Sequence, residues 1–346
     1  MTICLVGTKW GAFLGRELRR IYSGRLLVCG RDVERTRRLA KRLDAADYVI
    51  GWEEGVTRPD VSAVILAMPA EHHAEAARYA ASAGKHVFVE KPIAVTLEDA
   101  DAMIESARKA GVVLFVGENM PYRPALREAR QRLAELGTPR FFQACRLRHL
   151  DDRRLSVGIL PDMGVHYIRA LRYLLGEPEV VFATNSESVV DCPEPHDNAS
   201  VLLSSRAGWT AVLSFSWQAS AGRCPEIIVT GTEGALKIWP ESMTLDLYPN
   251  RPTRRSRLVS RVRPWWLQEF LQSPERQRVG TRLPRHDRMG YQAELREFLQ
   301  AVGIGAASVV SAVEGRRDLE IALVAATSAS AGAPLRCQPG AVLTAA

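Results

Sequence analysis

The sequence lacks any apolar run of the roughly 18 residues that a membrane span needs, and it opens on the strand-like Thr2-Ile3-Cys4-Leu5-Val6 without a basic, apolar, cleavable leader. A cytoplasmic protein with no membrane partner is therefore expected. It also lacks a C-x-x-C pair. Cys4, Cys29, Cys145, Cys192, Cys224 and Cys337 are scattered, several of them in apolar strand-like segments, which suits reduced core thiols and leaves no metal site or disulfide framework to expect. No Gly/Pro/Ser tract is long enough to read as a disordered linker, and no internal repeat is present. With 47% hydrophobic and 25% charged residues, the composition is that of an ordinary globular protein.

A length of 346 residues suits two domains. The net charge of +7 is a property of one segment: from Arg251 to Arg288 eleven arginines face only Glu269, Glu275 and Asp287. Basic residues beside Trp265-Trp266 have the ingredients of a single-strand nucleic-acid site, but a solvated excursion with an aromatic anchor explains them as well, and no nucleic-acid partner is assigned. The third reading is a surface that holds an anionic substrate or a partner subunit.

The first third alternates strand and helix patterns: Ile3 to Val6 then Phe13 to Tyr22, Leu26 to Cys29 then Val33 to Leu43, Val61 to Ala67 then His73 to Ala83, Val87 to Val89 then Leu97 to Ala110. Repeated βα units predict a parallel, doubly wound sheet, because parallel strands need crossover helices that cover both faces. After Val112 to Val116 the rhythm changes. A helix near Pro124 to Leu136 and another at Gly164 to Leu175 accompany period-two runs at Val180 to Ser186, Ala199 to Ser205, Thr210 to Trp217, Glu226 to Gly231 and Ala235 to Ile238. These predict a largely antiparallel sheet in an α+β domain. The division expected is 1–120 and 121–346, with amphipathic helices at Tyr291 to Val302 and Val313 to Ser330 packing back across the junction, and the tail from Cys337 adding an edge strand or fraying.

The chemistry begins in Gly7-Thr8-Lys9-Trp10-Gly11-Ala12-Phe13-Leu14-Gly15, a strand-to-helix turn whose helix N-terminal amides suit a pyrophosphate. It is not a clean G-x-G-x-x-G, since Lys9 and Ala12 stand where glycines belong. Gly7, Thr8, Lys9, Trp10 and Gly11 are the candidate cofactor residues, with Lys9 as a phosphate contact and Trp10 as a lid. The second strand ends at Gly30-Arg31-Asp32 rather than in the acid that usually holds the ribose hydroxyls of NAD, and a guanidinium there suits a 2′-phosphate, so NADP(H) is favoured over NAD(H). Asp32 keeps NAD open and has helix capping as its structural role. Pro69 brings the Ala67-to-His73 turn beside the dinucleotide. His72-His73 suits helix-start capping or packing better than metal.

Glu90-Lys91-Pro92 closes an apolar strand, so Lys91 points into the crevice where open α/β sheets bind ligands. Asp162 and His166 stand four residues apart at a helix start, on one face if that turn is helical. Lysine, aspartate and histidine are the parts needed to move a proton to or from an alcohol while hydride moves to or from nicotinamide. A salt bridge from Lys91 to Glu90 and a capping Asp162 are the plainer readings.

The run Val64 to Pro69, His73, Ala83-Gly84-Lys85-His86-Val87, Glu90-Lys91-Pro92 and Asp162-x-Gly164-x-His166 resembles the glucose-fructose oxidoreductase, inositol dehydrogenase and rhizopine-catabolism (Gfo/Idh/MocA) family. The resemblance implies an N-terminal Rossmann dinucleotide-binding domain and a C-terminal α+β domain with a large open, mainly antiparallel sheet. It implies an NAD(P)-dependent oxidoreductase that interconverts a secondary alcohol and a ketone on a sugar, cyclitol or related polyhydroxylated molecule, as a homodimer or homotetramer. Lys91 would hydrogen-bond the reacting oxygen, His166 would be the acid/base, and Asp162 would orient His166 or a substrate hydroxyl. Beside a cationic nicotinamide, Lys91 is expected to have a lowered pKa, and the Lys91-Pro92 bond to be a candidate for cis. His73, Glu90 and Lys91 join the cofactor residues. Asn119 is expected on the nicotinamide ribose or carboxamide, and Tyr122 or Arg123 on the substrate, with plain hinge structure as the other reading of the latter two. Arg146, Arg148 and His149 are expected to line the cleft, where their charge suits an anionic or carboxylate-bearing substrate.

Three features depart from the family pattern. The Gly-x-Lys-aromatic-Gly loop is similar to that of thiazolinyl imine reductases, which usually lack the Glu-Lys-Pro motif. Arg169 stands three after His166, where many polyol-oxidising members carry an acid, and the arginine-rich segment has no general counterpart. Imine reduction on a natural-product intermediate is thus the second enzyme reading, and an inactive cofactor-binding regulator the third.

Overall fold

The computed structural model describes residues 1–149, 157–186, 197–218, 226–249, 275–278, 287, 289–304 and 312–337. Most of the arginine-rich stretch, Trp265-Trp266 included, and Cys192 and Cys224 lie outside the described residues.

The N-terminal domain runs β1 (Thr2–Val6), α1 (Trp10–Arg19), β2 (Arg25–Gly30), α2 (Val33–Arg42), β3 (Asp47–Ile50), α3 (Trp52–Thr57), β4 (Ala63–Leu66), α4 (His73–Ser82), β5 (His86–Glu90), α5 (Leu97–Ala110) and β6 (Leu114–Gly117). Its six strands pair in parallel in the order β3-β2-β1-β4-β5-β6. Every residue of β1 and β4 is buried, as expected of strands covered on both faces. The helices start and stop where their ends are chemically satisfied: Thr96 caps α5 by accepting from the Asp99 amide at 3.1 Å, and Gly111 ends it in the left-handed conformation.

The second domain continues with α6 (Pro124–Arg132), β7 (Pro139–Leu147), α7 (Val165–Leu175), β8 (Val180–Ser186), β9 (Asn198–Ser204), β10 (Thr210–Ser216), β11 (Glu226–Gly231), β12 (Gly234–Trp239), β13 (Thr244–Pro249), β14 (Glu275–Arg278), α8 (Tyr291–Ile304), α9 (Ala312–Ala331) and β15 (Leu335–Arg336). The sheet order is β14-β13-β12-β11-β7-β10-β9-β8-β15, antiparallel throughout except for β10 beside β7. Burial alternates along β9, with Val201 inside and Leu202 49% exposed, so one face is open while α6, α7 and α9 cover the other.

Several elements differ from expectation. β3, β13 and β14 were not anticipated; β3 is a four-residue edge strand whose one buried residue, Val49, gives no period-two signal. α1 begins at Trp10 rather than Phe13, with no side-chain cap to mark it. The edge strand of the tail falls at Leu335–Arg336, just ahead of Cys337. α8 packs on the first sheet, where Phe298 meets Phe88 and Phe115 edge-on. α9 serves both domains: Leu319 belongs to the first core, while Ile321 and Val324 belong to the second. Close approach requires Gly315 there, since a Cβ would lie 2.8 Å from Val116. Among the described residues no helix is long and apolar enough to cross a membrane.

Candidate active site

The site lies at the carboxyl ends of β1, β5 and β6, where a parallel sheet leaves its crevice. After β1, Gly7 adopts φ +111°, and a Cβ there would lie 2.2 Å from the carbonyl oxygen of Ala67, so the β1 and β4 turns meet only because Gly7 has no side chain. Lys9, at the N-cap of α1, makes no capping bond, and the first turn carries no acid. The first amides of α1 therefore have no side-chain acceptor and suit a pyrophosphate. Thr8 packs against Gly30 at the end of β2. Arg31 is exposed beside it, while Asp32 is engaged in capping α2 by accepting from the Arg35 amide at 2.8 Å. These residues fit a dinucleotide. Trp10 stands 42% exposed on the loop, and its Nε1–H donates to Glu90 Oε1 at 2.8 Å. Its ring meets Phe13 and Tyr291.

Beyond β5 the Lys91-Pro92 bond is cis. His73 is 1% exposed, and its ring bridges the two turns, Nδ1 facing the Pro92 carbonyl at 3.0 Å and Nε2 the Met68 carbonyl at 2.9 Å. A neutral ring donates to one of these carbonyls at a time, and either contact ties His73 to the turns on both sides of it. Burial lowers its pKa, against the pull of those carbonyls.

Lys91 Nζ donates to Asp162 Oδ1 at 2.7 Å and to the Asp162 carbonyl at 2.8 Å. Glu90 makes no ion pair with Lys91 Nζ, although its Oε2 accepts from the Lys91 amide at 3.3 Å; burial pushes the Glu90 carboxyl up to about 7 against the Trp10 hydrogen bond and the Lys91 charge. In the protein alone the balance at Lys91 differs from the lowering expected beside a cationic nicotinamide. Burial acts in that direction, but Asp162, Glu90 and Glu118 outweigh it and raise the ammonium above its ordinary value. The cationic ring invoked for the lowering would act against these three carboxylates.

Asp162 lies in a wide turn, Leu160–Gly164, in π-helical conformation, which leads directly into α7, where His166 is the second residue. Asp162, expected to orient His166 or a substrate hydroxyl, turns its carboxylate to Lys91 in this structure. His166 meets a residue the sequence reading did not select: Glu118 Oε2 lies 2.7 Å from His166 Nδ1, off the line of an ideal ring N–H bond. Glu118 sits just past β6, and its other oxygen accepts from the Met120 amide at 3.0 Å. Its one signal in sequence is an acid immediately after an apolar strand of a parallel sheet. The side chains of Lys91, Asp162 and His166 remain 19%, 24% and 25% exposed against 3% for Glu118, so the first three face the crevice and the fourth stands behind them. Burial and the Lys91 charge lower the His166 pKa, with Glu118 opposing, so the ring is neutral and able to accept a proton. Asp162 is held below the usual carboxylate range, Lys91 overcoming the effect of burial.

The other expected residues have partners of their own. The Asn119 amide donates to the Met289 carbonyl at 2.9 Å, and its oxygen accepts from Arg123 Nη2 at 3.3 Å, which ties the β6 turn to the start of α8. Tyr122 and Arg123 are buried. Arg146 pairs with Glu241 at 2.6 Å, and the backbone of His149 pairs with that of Gln218 in an isolated antiparallel β-bridge. Arg148 is exposed beyond β7, near enough to Asp162 to help lower its pKa. Arg169 turns into the interior and pairs with Glu314 on α9. Among the described residues no group of three or more His, Cys, Asp or Glu is placed to hold a metal.

A Rossmann sheet with a glycine turn on its first strand, a lysine clasped by an aspartate beyond β5 and a neutral histidine within reach of their charges suit a nicotinamide-dependent dehydrogenase. Residues 2–118 match the family described as oxidoreductase, NAD-binding Rossmann fold, and residues 126–237 match the GFO/IDH/MocA C-terminal domain. The chain belongs to the Gfo/Idh/MocA family and is an NAD(P)-dependent oxidoreductase. It is 29% identical over 343 residues to a myo-inositol 2-dehydrogenase of Thermotoga maritima, covering 95% of this chain and 96% of that relative. It is 26% identical to a scyllo-inositol 2-dehydrogenase (NAD(+)) of Bacillus subtilis, covering 95% and 93%. A levoglucosan dehydrogenase solved with NADH and levoglucosan shares the fold, with a TM-score of 0.83 at 19% identity, over 98% of this chain and 100% of that one.

Proposed function

We propose that the protein interconverts a secondary alcohol and a ketone on a sugar, cyclitol or related polyhydroxylated molecule, with NADP(H) preferred to NAD(H). The observation that carries the reading is the division between Lys91, clasped by Asp162 and held as an ammonium, and His166, neutral and open to the crevice on one edge. The Gly7 turn and the first amides of α1 would hold the dinucleotide, whose nicotinamide would supply or take the hydride. Lys91 donates a hydrogen bond to the reacting oxygen, and His166 takes the hydroxyl proton in oxidation and returns it in reduction. The cofactor preference rests on Arg31, exposed at the tip of β2, and on Asp32 being engaged as a helix cap.

Lys91→Met tests the reading: turnover of a polyol and keto-sugar panel should be nearly abolished while NADPH binding stays measurable by calorimetry. Unchanged turnover refutes it. Cyclic imines in the same panel separate imine reduction, which the Gly-x-Lys-aromatic-Gly loop keeps as the second reading. The proposal includes a homodimer or homotetramer that uses the open face of the second sheet, where Leu202 is exposed; light scattering gives the stoichiometry.

A further inference from the structure

We infer that Glu118 is the positioning residue of His166, fixing the ring proton on Nδ1 and so presenting the Nε2 lone pair to the substrate. The role rests on the oxidoreductase reading above, but the geometry that supports it does not. Glu118 is 2% exposed and cannot meet a substrate itself. Its carboxylate is immobilised at one oxygen by the Met120 amide, 3.0 Å away, which leaves the other 2.7 Å from His166 Nδ1. An ionised carboxylate only accepts, and a neutral imidazole carries a single N–H. A hydrogen on Nδ1 therefore meets the carboxylate, bent though the contact is, where a hydrogen on Nε2 would leave a lone pair facing that charge, and Nε2 is then the bare nitrogen.

The surroundings of His166 give the pairing its purpose. Lys91 from the β5 turn and Arg123 from the turn before α6 disfavour a second proton, Glu118 from the β6 turn favours it, and Asp162 from the π-turn is committed to Lys91. Each basic group thus has its own carboxylate: Asp162 keeps Lys91 charged and aimed, and Glu118 keeps His166 in one tautomer and moderates its loss of basicity. Without Glu118, the ring of His166 would be free to place its proton on the crevice side, where it cannot serve as a base.

The test is imidazole 15N NMR on the full chain labelled at histidine, with the His166 signal identified by its loss in His166→Gln. The wild type should show Nδ1 protonated and Nε2 bare. Glu118→Gln should mix the tautomers and move the His166 titration to lower pH, because the favouring charge is gone; Glu118→Asp should restore both in part. In steady-state assays Glu118→Gln should lower kcat/KM by about 100-fold, the lower end of a general base's contribution, and shift the acid limb of the profile downward. A purely structural role would lower the rate without moving that limb. A wild-type ring protonated on Nε2, or identical tautomer and titration in wild type and Glu118→Gln, overturns the inference. The NMR arm needs neither cofactor nor substrate, so a failure of the wild type to turn over any polyol or ketone would defeat the functional reading separately.

Discussion

Asp162→Asn keeps the shape of the clasp on Lys91 and removes its charge. Two unit charges at about 4 Å attract by about 4 kcal/mol at an effective dielectric near 20. The pair is a fifth to a quarter open to solvent, and Glu90 and Glu118 still attract the ammonium. About half of the Coulomb figure, ~2 kcal/mol, is the expected loss in the hold on Lys91, equivalent to roughly 30-fold in kcat/KM. The pH profile carries the sharper signature. Burial alone lowers a lysine, and Asp162 is the foremost attraction that reverses it. Without that attraction Lys91 loses its proton at lower pH, so the alkaline fall of kcat/KM moves toward neutrality. Stability follows the same linkage. The raised Lys91 contributes fully below 10.5 and loses its contribution as pH rises through the folded value. The lowered Asp162 contributes fully above 3.8 and loses its share as pH falls through the folded value. Urea denaturation of wild type and Asp162→Asn should therefore differ by a constant amount across neutral pH, with the gap closing at both extremes. A variant that keeps the wild-type alkaline limb, whatever its rate, refutes the clasp as the source of the Lys91 charge.

Glu90 makes an opposite prediction. Its carboxyl sits at about 7 in the fold against an ordinary 4.5, so the folded chain retains a proton that the unfolded chain releases, and stability falls between those values and then levels off. At pH 8 Glu90→Gln should be more stable by an amount on the order of 3 kcal/mol and should match wild type below pH 4.5; equal stability at pH 8 would count against the buried charge. Arg172, buried on α7, holds Glu177 at 2.6 Å, Glu314 at 3.0 Å and the buried Asp318. Arg172→Leu leaves the buried Asp318 without its arginine, while Glu314 keeps Arg169 and Glu177 keeps Arg317, and should cost about 3 kcal/mol in urea denaturation, the lower end for a broken buried pair; a loss under 1 kcal/mol refutes the network. Arg31→Ala should weaken NADPH binding about tenfold, the value of one charge-assisted hydrogen bond, and leave NADH unchanged in calorimetry; a constant ratio of the two affinities would return the cofactor preference to open ground.

Much of this architecture is legible in the chain because parallel βα units announce themselves by unbroken apolar strands and charged helices. β1, β4, β5 and α5 fall close to where the pattern puts them. β3 is invisible to the same logic, being a short edge with one buried residue, and β13 and β14 follow no strand-like run that the reading used. At the site, motif spacing finds Lys91, Asp162 and His166 but not who pairs with whom. The wide turn at Leu160–Gly164 aims Asp162 at Lys91, across 71 residues of sequence, and leaves His166 to Glu118 from the end of a different strand. Such pairings depend on strand order and turn geometry, which no local pattern encodes. Asn119 and His73 show the converse: polar residues in the right loops that also hold the structure, Asn119 between the Met289 carbonyl and the Arg123 side chain, His73 between the Met68 and Pro92 carbonyls.

The shared helix α9 bears on how this chain can be cut and recombined. With Leu319 in one core and Ile321 and Val324 in the other, neither sheet keeps its hydrophobic seal if the polypeptide is divided between them, and a graft of a foreign Rossmann half onto this substrate half inherits a mismatched face along that helix. Gly315 sharpens the constraint, since a partner strand bulkier than β6 at Val116 has no room to approach. Exchange of whole domains should therefore carry α9 and β6 together, and loops around the crevice, not the domains themselves, are the units that can be swapped to change what the enzyme accepts.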